Sequence, residues 1–319
     1  ELLESVYEVD TIDDLEKLNS CLFPYSYPQY PDEREKGKTS QEQLKFVLVR
    51  MLKIFDCICK KHDIDYWLDY GTLLGAIRHK GFIPWDDDFD MMMPREDYDK
   101  LKEVFEKELS DKYILSVPRY KNESNTLFMQ ISKKGTTSKG MWNDYVISGV
   151  LVDIYPIEKM PNFSVGRFFK CIALDAFRII TLSVAEYRLR NKSRLRVYSI
   201  KRKYLFYYNL RCLIGFVFSF IGKTRLYDLF DRFASNSKGM EYCTIPTGRK
   251  MSRGECLTRD TFFPVVDANF ENMNVSIPHD SDIYLKNLYG NYMQIPPVEK
   301  RERHFYTEFD LGNETANKK

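Results

Sequence analysis

The chain has 319 residues, of which 29% are charged and 15% aromatic, with 48 Lys and Arg set against 46 Asp and Glu. That length buries a substantial core, and the composition excludes a disordered protein. A formal charge of +2 names no partner by itself, so the placement of charge carries the information.

Residues 1–40 read as an irregular arm broken by Pro24, Pro28 and Pro31. From Gln41 to about Asp63, Leu44, Val47, Leu48, Met51, Leu52, Phe55 and Ile58 recur at three- and four-residue spacing, which predicts an amphipathic helix. Tyr66 to Leu68 reads as a short strand. Gly71 then permits a turn into a short helix, Leu73–His79, with Gly81 as its C-cap. Phe89–Met93 is a strand stopped by Pro94, and Arg95–Leu109 is a helix. Strands are expected at Tyr113–Val117, Phe128–Ser132 and Val150–Tyr155. A helix-rich section runs from about Val165 to Ser237. The tail mixes short strands at Val265-Val266 and Asn274–Ile277 with a helix near Ser281–Tyr289. The seven cysteines include no CxxC pair, which fits reduced thiols and no zinc site. No signal peptide is expected.

Chemistry concentrates around Trp85-Asp86-Asp87-Asp88-Phe89-Asp90-Met91. Four carboxylates in five positions repel one another unless a cation neutralises them. Asp88 and Asp90 alternate with Phe89 and Met91, so both acids face one side of a strand and the apolar pair the other. Two oxygen ligands on one rigid face suit Mg²⁺, or Mn²⁺ in its place. A solvated acidic turn or a Ca²⁺ loop is the plainer alternative, although EF-hand spacing is absent. Asp153, isolated on an apolar strand, is placed to complete the metal site and take a proton from an incoming hydroxyl. Gly71 and Thr72 open a helix whose N–H groups suit a phosphate, and Arg78 and Lys80 flank the turn beyond. Asp86 and Asp87 read as supporting or turn-capping groups. Trp67, Tyr70, Trp85 and Trp142 suggest a cage for a quaternary ammonium, but in so aromatic a chain such rings are ordinarily core.

The segment YWLDYGTLLGAIRHKGFIPWDDDFDMMMPREDYDKL resembles the signature of the LicD family, a branch of the nucleotidyltransferase-fold superfamily that includes the fukutin-related proteins. Gly71-Thr72, Asp88-Phe89-Asp90 and Asp153 match the superfamily's Gly-Gly/Ser, acid-hydrophobic-acid and third-acid positions. Thr72 stands where Gly or Ser is usual, and the interval to Asp88 is long. Leu151–Pro156 and a tail that includes Tyr289-Gly290-Asn291-Tyr292-Met293 and His304 are also similar. The resemblance covers roughly residues 41–160 and 240–305. It implies an α+β fold with a nucleotidyltransferase-like mixed sheet flanked by helices. It also implies a phosphotransferase moving a phospho-alcohol from CDP-choline or a related CDP-linked donor to a glycan hydroxyl. Teichoic acid, lipopolysaccharide and capsule precursors are the acceptors of that class. The site residues implied are Asp88, Asp90 and Asp153 for metal and catalysis, with Gly71, Thr72, Arg78, Lys80 and His304 for substrate. A nucleotidyltransferase consuming CTP or ATP, and an inactive membrane-associated scaffold, are the competing readings.

The expected organisation is an arm (1–40), a catalytic core (41–164), a helical insertion (165–237) and a part completing the catalytic domain (238–319). Within the insertion, Arg188–Lys203 carries eight cations and no acid, ahead of the apolar run Tyr204–Ile221. Arg211 near the middle of that run costs about 2.5–3.5 kcal/mol on insertion, so it is not expected to span a membrane. Acceptors of the resembled family are often lipid-linked, and the expectation is a cytoplasmic protein touching the inner membrane face. No nucleic-acid motif accompanies the charge, and no nucleic-acid partner is expected.

Overall fold

A computed structural model describes residues 40–118, 126–140, 149–190, 202–297, 301 and 306–312. The predicted arm up to residue 39, Trp142 and His304 lie outside the described residues. The fold is mixed α+β. Helix α1 (Ser40–Lys61) leads into β1 (Trp67–Leu68), α2 (Tyr70–His79), β2 (Asp90–Pro94) and α3 (Arg95–Glu108). There follow β3 (Tyr113–Ser116), β4 (Met129–Lys133), β5 (Thr137–Gly140) and β6 (Leu151–Met160).

The main sheet has the order β1-β2-β6-β4-β3. Only the β2–β6 pair in it is parallel; β1, β4 and β3 join antiparallel. Asp90, Met91, Met92 and Met93 of β2 are all buried, as a central strand demands. Helix α1 packs Met51, Ile54 and Phe55 towards Tyr113, Ile131 and Val152 of the sheet. Helix α3 buries Tyr98, Leu101, Val104 and Phe105.

Strand β6 runs five residues beyond the predicted Tyr155, through Pro156. The Asp153 N–H donates to the Phe89 carbonyl at 3.0 Å, so alternate residues donate towards β2 and those between donate the other way. Pro156 belongs to the second set. It falls where β4 pairing has ended at Ile154 and pairing with β7 (Tyr242–Thr244) has not begun at Glu158. The missing N–H therefore meets no partner strand, and the proline is tolerated.

The insertion comprises α4 (Ser164–Arg188), α5 (Arg202–Phe218) with a 3-10 turn at Ser219–Ile221, and α6 (Lys223–Ser235). A smaller apolar cluster of Met160, Cys171, Leu174, Tyr227 and Phe230 joins α4 and α6 to the end of β6. Arg95 of α3 pairs with the buried Glu158 of β6 and, at 3.0 Å, with Asp231 of α6. Beyond β7 lie α7 (Met251–Gly254), β8 (Leu257–Thr258), α8 (Arg259–Phe262), the hairpin β9 (Val266–Phe270) and β10 (Met273–Ile277), α9 (Ser281–Tyr289) and β11 (Tyr306–Asp310). Strand β11 pairs with β5.

Helix α2 differs from its prediction at its start and in its C-cap. It begins at Tyr70, because Asp69 caps it by accepting the Tyr70 N–H at 2.7 Å. It ends at His79 as predicted, but its C-cap is Lys80, which takes the left-handed conformation (φ 60°) expected of Gly81. The glycines serve close approach instead. A Cβ on Gly75 would lie 2.5 Å from the Gly81 carbonyl, and one on Gly81 would strike the Glu271 carboxylate, which accepts the Phe82 N–H. Gly75→Val is therefore expected to lower stability by about 1–3 kcal/mol through overpacking. The denaturant midpoint measures this, and an unchanged midpoint would contradict the packing described.

Candidate active site

Parallel pairing of β2 with β6 sets Asp90 directly beside Asp153. Asp88 lies in the loop just before β2; the strand begins at Asp90 rather than Phe89. The alternation nevertheless extends into that loop: Phe89 and Met91 are in the core, while Asp88 and Asp90 line a cleft. The cleft has a volume of about 790 Å³, and Gly71, Arg78, Asp153, Tyr155, Arg178 and Arg249 also line it. Three acids predicted from remote segments thus share one cavity with three guanidinium groups.

Burial holds the Asp90 carboxyl well above the usual carboxylate range, and the neighbouring Asp88 and Asp153 charges push it the same way. Gln130 of β4, in register with Asp153, donates its amide to Asp153 Oδ1 at 2.8 Å. Such a set of oxygen donors fits a hard divalent cation, whose charge would reverse the mutual repulsion. A second grouping shares Asp88: the carboxylates of Asp86, Asp87 and Asp88 offer oxygens within 4.8 Å of one another. Asp86 presses against Gly71, where a Cβ would lie 2.7 Å from its Oδ2. Gly71 is therefore a residue of the helix's first turn that lets a carboxylate approach, rather than part of a preceding turn.

The other predicted substrate residues separate. Thr72 is buried beneath the cleft, and its hydroxyl accepts the Asp90 N–H at 3.0 Å. Its observed contact supports Asp90 from below. Arg78 lines the cleft, donates to the Tyr292 carbonyl at 2.7 Å and feels the charge of Asp86. Lys80 is exposed and does not line the cleft; its carbonyl accepts the Glu271 N–H. Of the suggested cage, Trp67 is fully buried against Phe263, while Tyr70 and Trp85 line the cleft, Trp85 under the Arg301 guanidinium. Tyr155 and Phe128 line it beside the acids as well, with Tyr155 5.1 Å from Tyr70 and 4.4 Å from Phe128.

Several supporting roles were not read from the sequence. Asp69 is fully buried, accepts the Tyr284 hydroxyl at 2.7 Å and has no partner at Oδ2 among the described residues; burial, then Glu255, raises its carboxyl well above the usual range. Tyr70 sits at φ 39°, a backbone region costly for a bulky residue, and its hydroxyl donates to Glu255 at 2.9 Å while accepting the Arg249 N–H at 3.2 Å. Arg178, on α4, reaches the cleft and donates to the Gly248 carbonyl at 2.6 Å. The sequence did carry one signal for it, since Asp175 and Arg178 interrupt the otherwise uncharged run from Cys171 to Ala185. Asp175 accepts the Ser252 N–H at 2.8 Å.

With this geometry, the relatives are informative. Residues 63–166 match the family described as "LicD/FKTN/FKRP, nucleotidyltransferase domain". Across 86% of its length the chain is 27% identical to the lipopolysaccharide cholinephosphotransferase LicD of Haemophilus influenzae, covering 98% of that protein. An uncharacterised protein of Rickettsia prowazekii is 35% identical over 80 residues, 25% of this chain and 30% of that one. Mannosyltransferase regulator 4 of Saccharomyces cerevisiae is 31% identical over 110 residues, 33% of this chain but 9% of that protein.

Burial raises the Glu255 carboxyl to about 7, against the Lys250 amide and the Tyr70 hydroxyl that donate to it. A raised carboxyl favours the fold while it keeps its proton, so this contribution is lost as pH climbs from the unfolded value of 4.5 through about 7. Glu255→Gln removes that loss. Between about pH 4 and about pH 8 the variant should gain on wild type by on the order of 3 kcal/mol in unfolding free energy. A difference independent of pH would refute the assignment.

Proposed function

From the premise that this chain carries a LicD-family domain, with the nucleotidyltransferase-like fold that name implies, we propose that it is a phosphotransferase. It moves phosphocholine from CDP-choline to a hydroxyl of a cell-surface glycan, with a lipopolysaccharide precursor as the first acceptor to try. The observation that carries this reading is the register of Asp90 with Asp153 at the floor of a cleft containing Asp88, Arg78, Arg178 and Arg249.

Phosphoryl transfer needs neutralisation of oxygen charge and alignment of the attacking hydroxyl more than covalent help. Asp88, Asp90 and Asp153 would hold Mg²⁺, or Mn²⁺, which when bound supplies positive charge to phosphate oxygens. Arg78, Arg178 and Arg249 would bind the diphosphate of the donor. Asp153, oriented by Gln130, accepts the proton of the acceptor hydroxyl. That oxygen bonds to the phosphorus bearing choline, the bond from this phosphorus to the bridging oxygen breaks, and CMP leaves. The rings of Tyr70, Phe128 and Tyr155 are suited to a trimethylammonium group beside the reacting phosphorus.

With CDP-choline, Mg²⁺ and a glycan acceptor, Asp90→Asn and Asp153→Asn should each lower kcat/KM by at least about a hundredfold while leaving the circular dichroism unchanged. Activity within about tenfold of wild type would contradict the reading. Release of diphosphate from CTP, in place of CMP from CDP-choline, would favour a nucleotidyltransferase.

A further inference from the structure

The helical insertion leaves an apolar surface without any covering among the described residues. On α5, Phe206, Leu210, Leu213 and Val217 recur at four-, three- and four-residue spacing, all exposed, Phe206 by 64%. The opposite side of the same helix is closed by Tyr208, which is buried, and by Gly215, where a Cβ would strike the Ser183 backbone of α4. Helix α5 therefore has a packed side and an equally apolar outward side. The first half of α4 also exposes Val165, Phe169 and Ile172, preceded by Phe163; Phe220 after α5 is 81% exposed. Exposed apolar residues clustered on this scale mark an interaction surface.

Charge identifies the occupant. Between Glu186 and Asp228 the sequence has eleven Lys and Arg and no carboxylate. Among the described residues on these elements, Lys203 and Arg225 are exposed, Arg190 and Lys203 lie over the Tyr187 and Tyr207 rings, and Arg188 donates to the Ser219 carbonyl. An apolar protein partner would gain little from cations such as Arg190, Lys203 and Arg225, whereas an anionic bilayer rewards both features. Among the described residues no single helix is long and apolar enough to cross a membrane, and α5 meets α6 at a bend of 92°.

We propose that the exposed side of α4 and α5, with the adjoining 3-10 turn, lies in the headgroup region of an anionic membrane, its aromatic and aliphatic side chains inserted and its cations against lipid phosphates. The surface adds the first half of α4 to the basic and apolar run legible in sequence. Helix α4 also carries Arg178 into the cleft, so one rigid element ties the membrane-facing surface to the candidate active site. The inference stands on surface chemistry and is independent of the reaction proposed above.

The full chain should co-sediment with vesicles in which a third of the lipid is phosphatidylglycerol, and at least about tenfold less with pure phosphatidylcholine. Raising salt from about 0.1 M to about 1 M, which shortens the screening length from ~10 to ~3 Å, should weaken that binding. Phe169→Ser with Phe206→Ser and Leu213→Ser should abolish it, and Lys203→Gln and Arg225→Gln should each cost about fivefold. Unchanged melting curves establish that these surface variants fold. The proposal is overturned by equal binding to the two vesicle types, by full binding of the triple-serine variant, or by protein that only detergent releases. A dimer in lipid-free solution that the triple substitution dissociates would assign the surface to a second copy instead, and would overturn it too.

Discussion

In a parallel pair of strands, residues in register stand side by side on the same face about 4.8 Å apart. Strands β2 and β6 place two acids, Asp90 and Asp153, at that spacing. Sixty-three positions of chain separate them, and only this pairing joins them. Everything chemical in the molecule is arranged around the consequence: two carboxylates in a buried sheet, with a third on the preceding loop, cannot all be charged cheaply without a cation. The sheet order that makes β2 and β6 central is thus also the arrangement that creates the demand for positive charge.

Rigidity around that pair comes from polar groups that are buried and bonded. Thr72 accepts the Asp90 amide, Gln130 holds Asp153, and Asp69 ties the start of α2 to Tyr284 of α9. Tyr70 connects the same helix end to Glu255 and Arg249. The bonds of Asp69 and Tyr70 join segments about 180 to 215 residues apart, so the C-terminal part of the chain braces the region bearing the acids. Buried hydrogen bonds of this kind specify one arrangement more sharply than apolar contacts do. The left-handed backbone at Tyr70 is the local strain that this bracing holds in place.

Much of this was legible because it depends on local pattern. The alternation Asp88-Phe89-Asp90-Met91 announced which side chains face the cleft, and the spacing of Leu44, Leu48, Met51, Leu52 and Phe55 announced α1. The parts that escaped depend on tertiary context. Pro156 reads as a strand terminator until the gap between β4 and β7 is seen. Gly81 reads as a helix cap until Glu271, from a hairpin far along the chain, occupies its missing Cβ. Thr72 reads as a phosphate contact, yet its hydroxyl faces the Asp90 amide, a partner that exists only after β2 has docked on α2. Arg178 shows only as a charge within an apolar stretch of α4, and Glu255 belongs to no local pattern at all.

A site built on crowded acids should be less stable empty than filled, and that asymmetry is the most direct test. Melting temperatures of wild type and Asp90→Asn, measured in chelator and again in Mg²⁺, read it out. Without the ion, removing one charge should raise the melting temperature; with it, wild type should gain in proportion to its affinity and overtake the variant. Variant and wild type responding identically to Mg²⁺ would contradict the account.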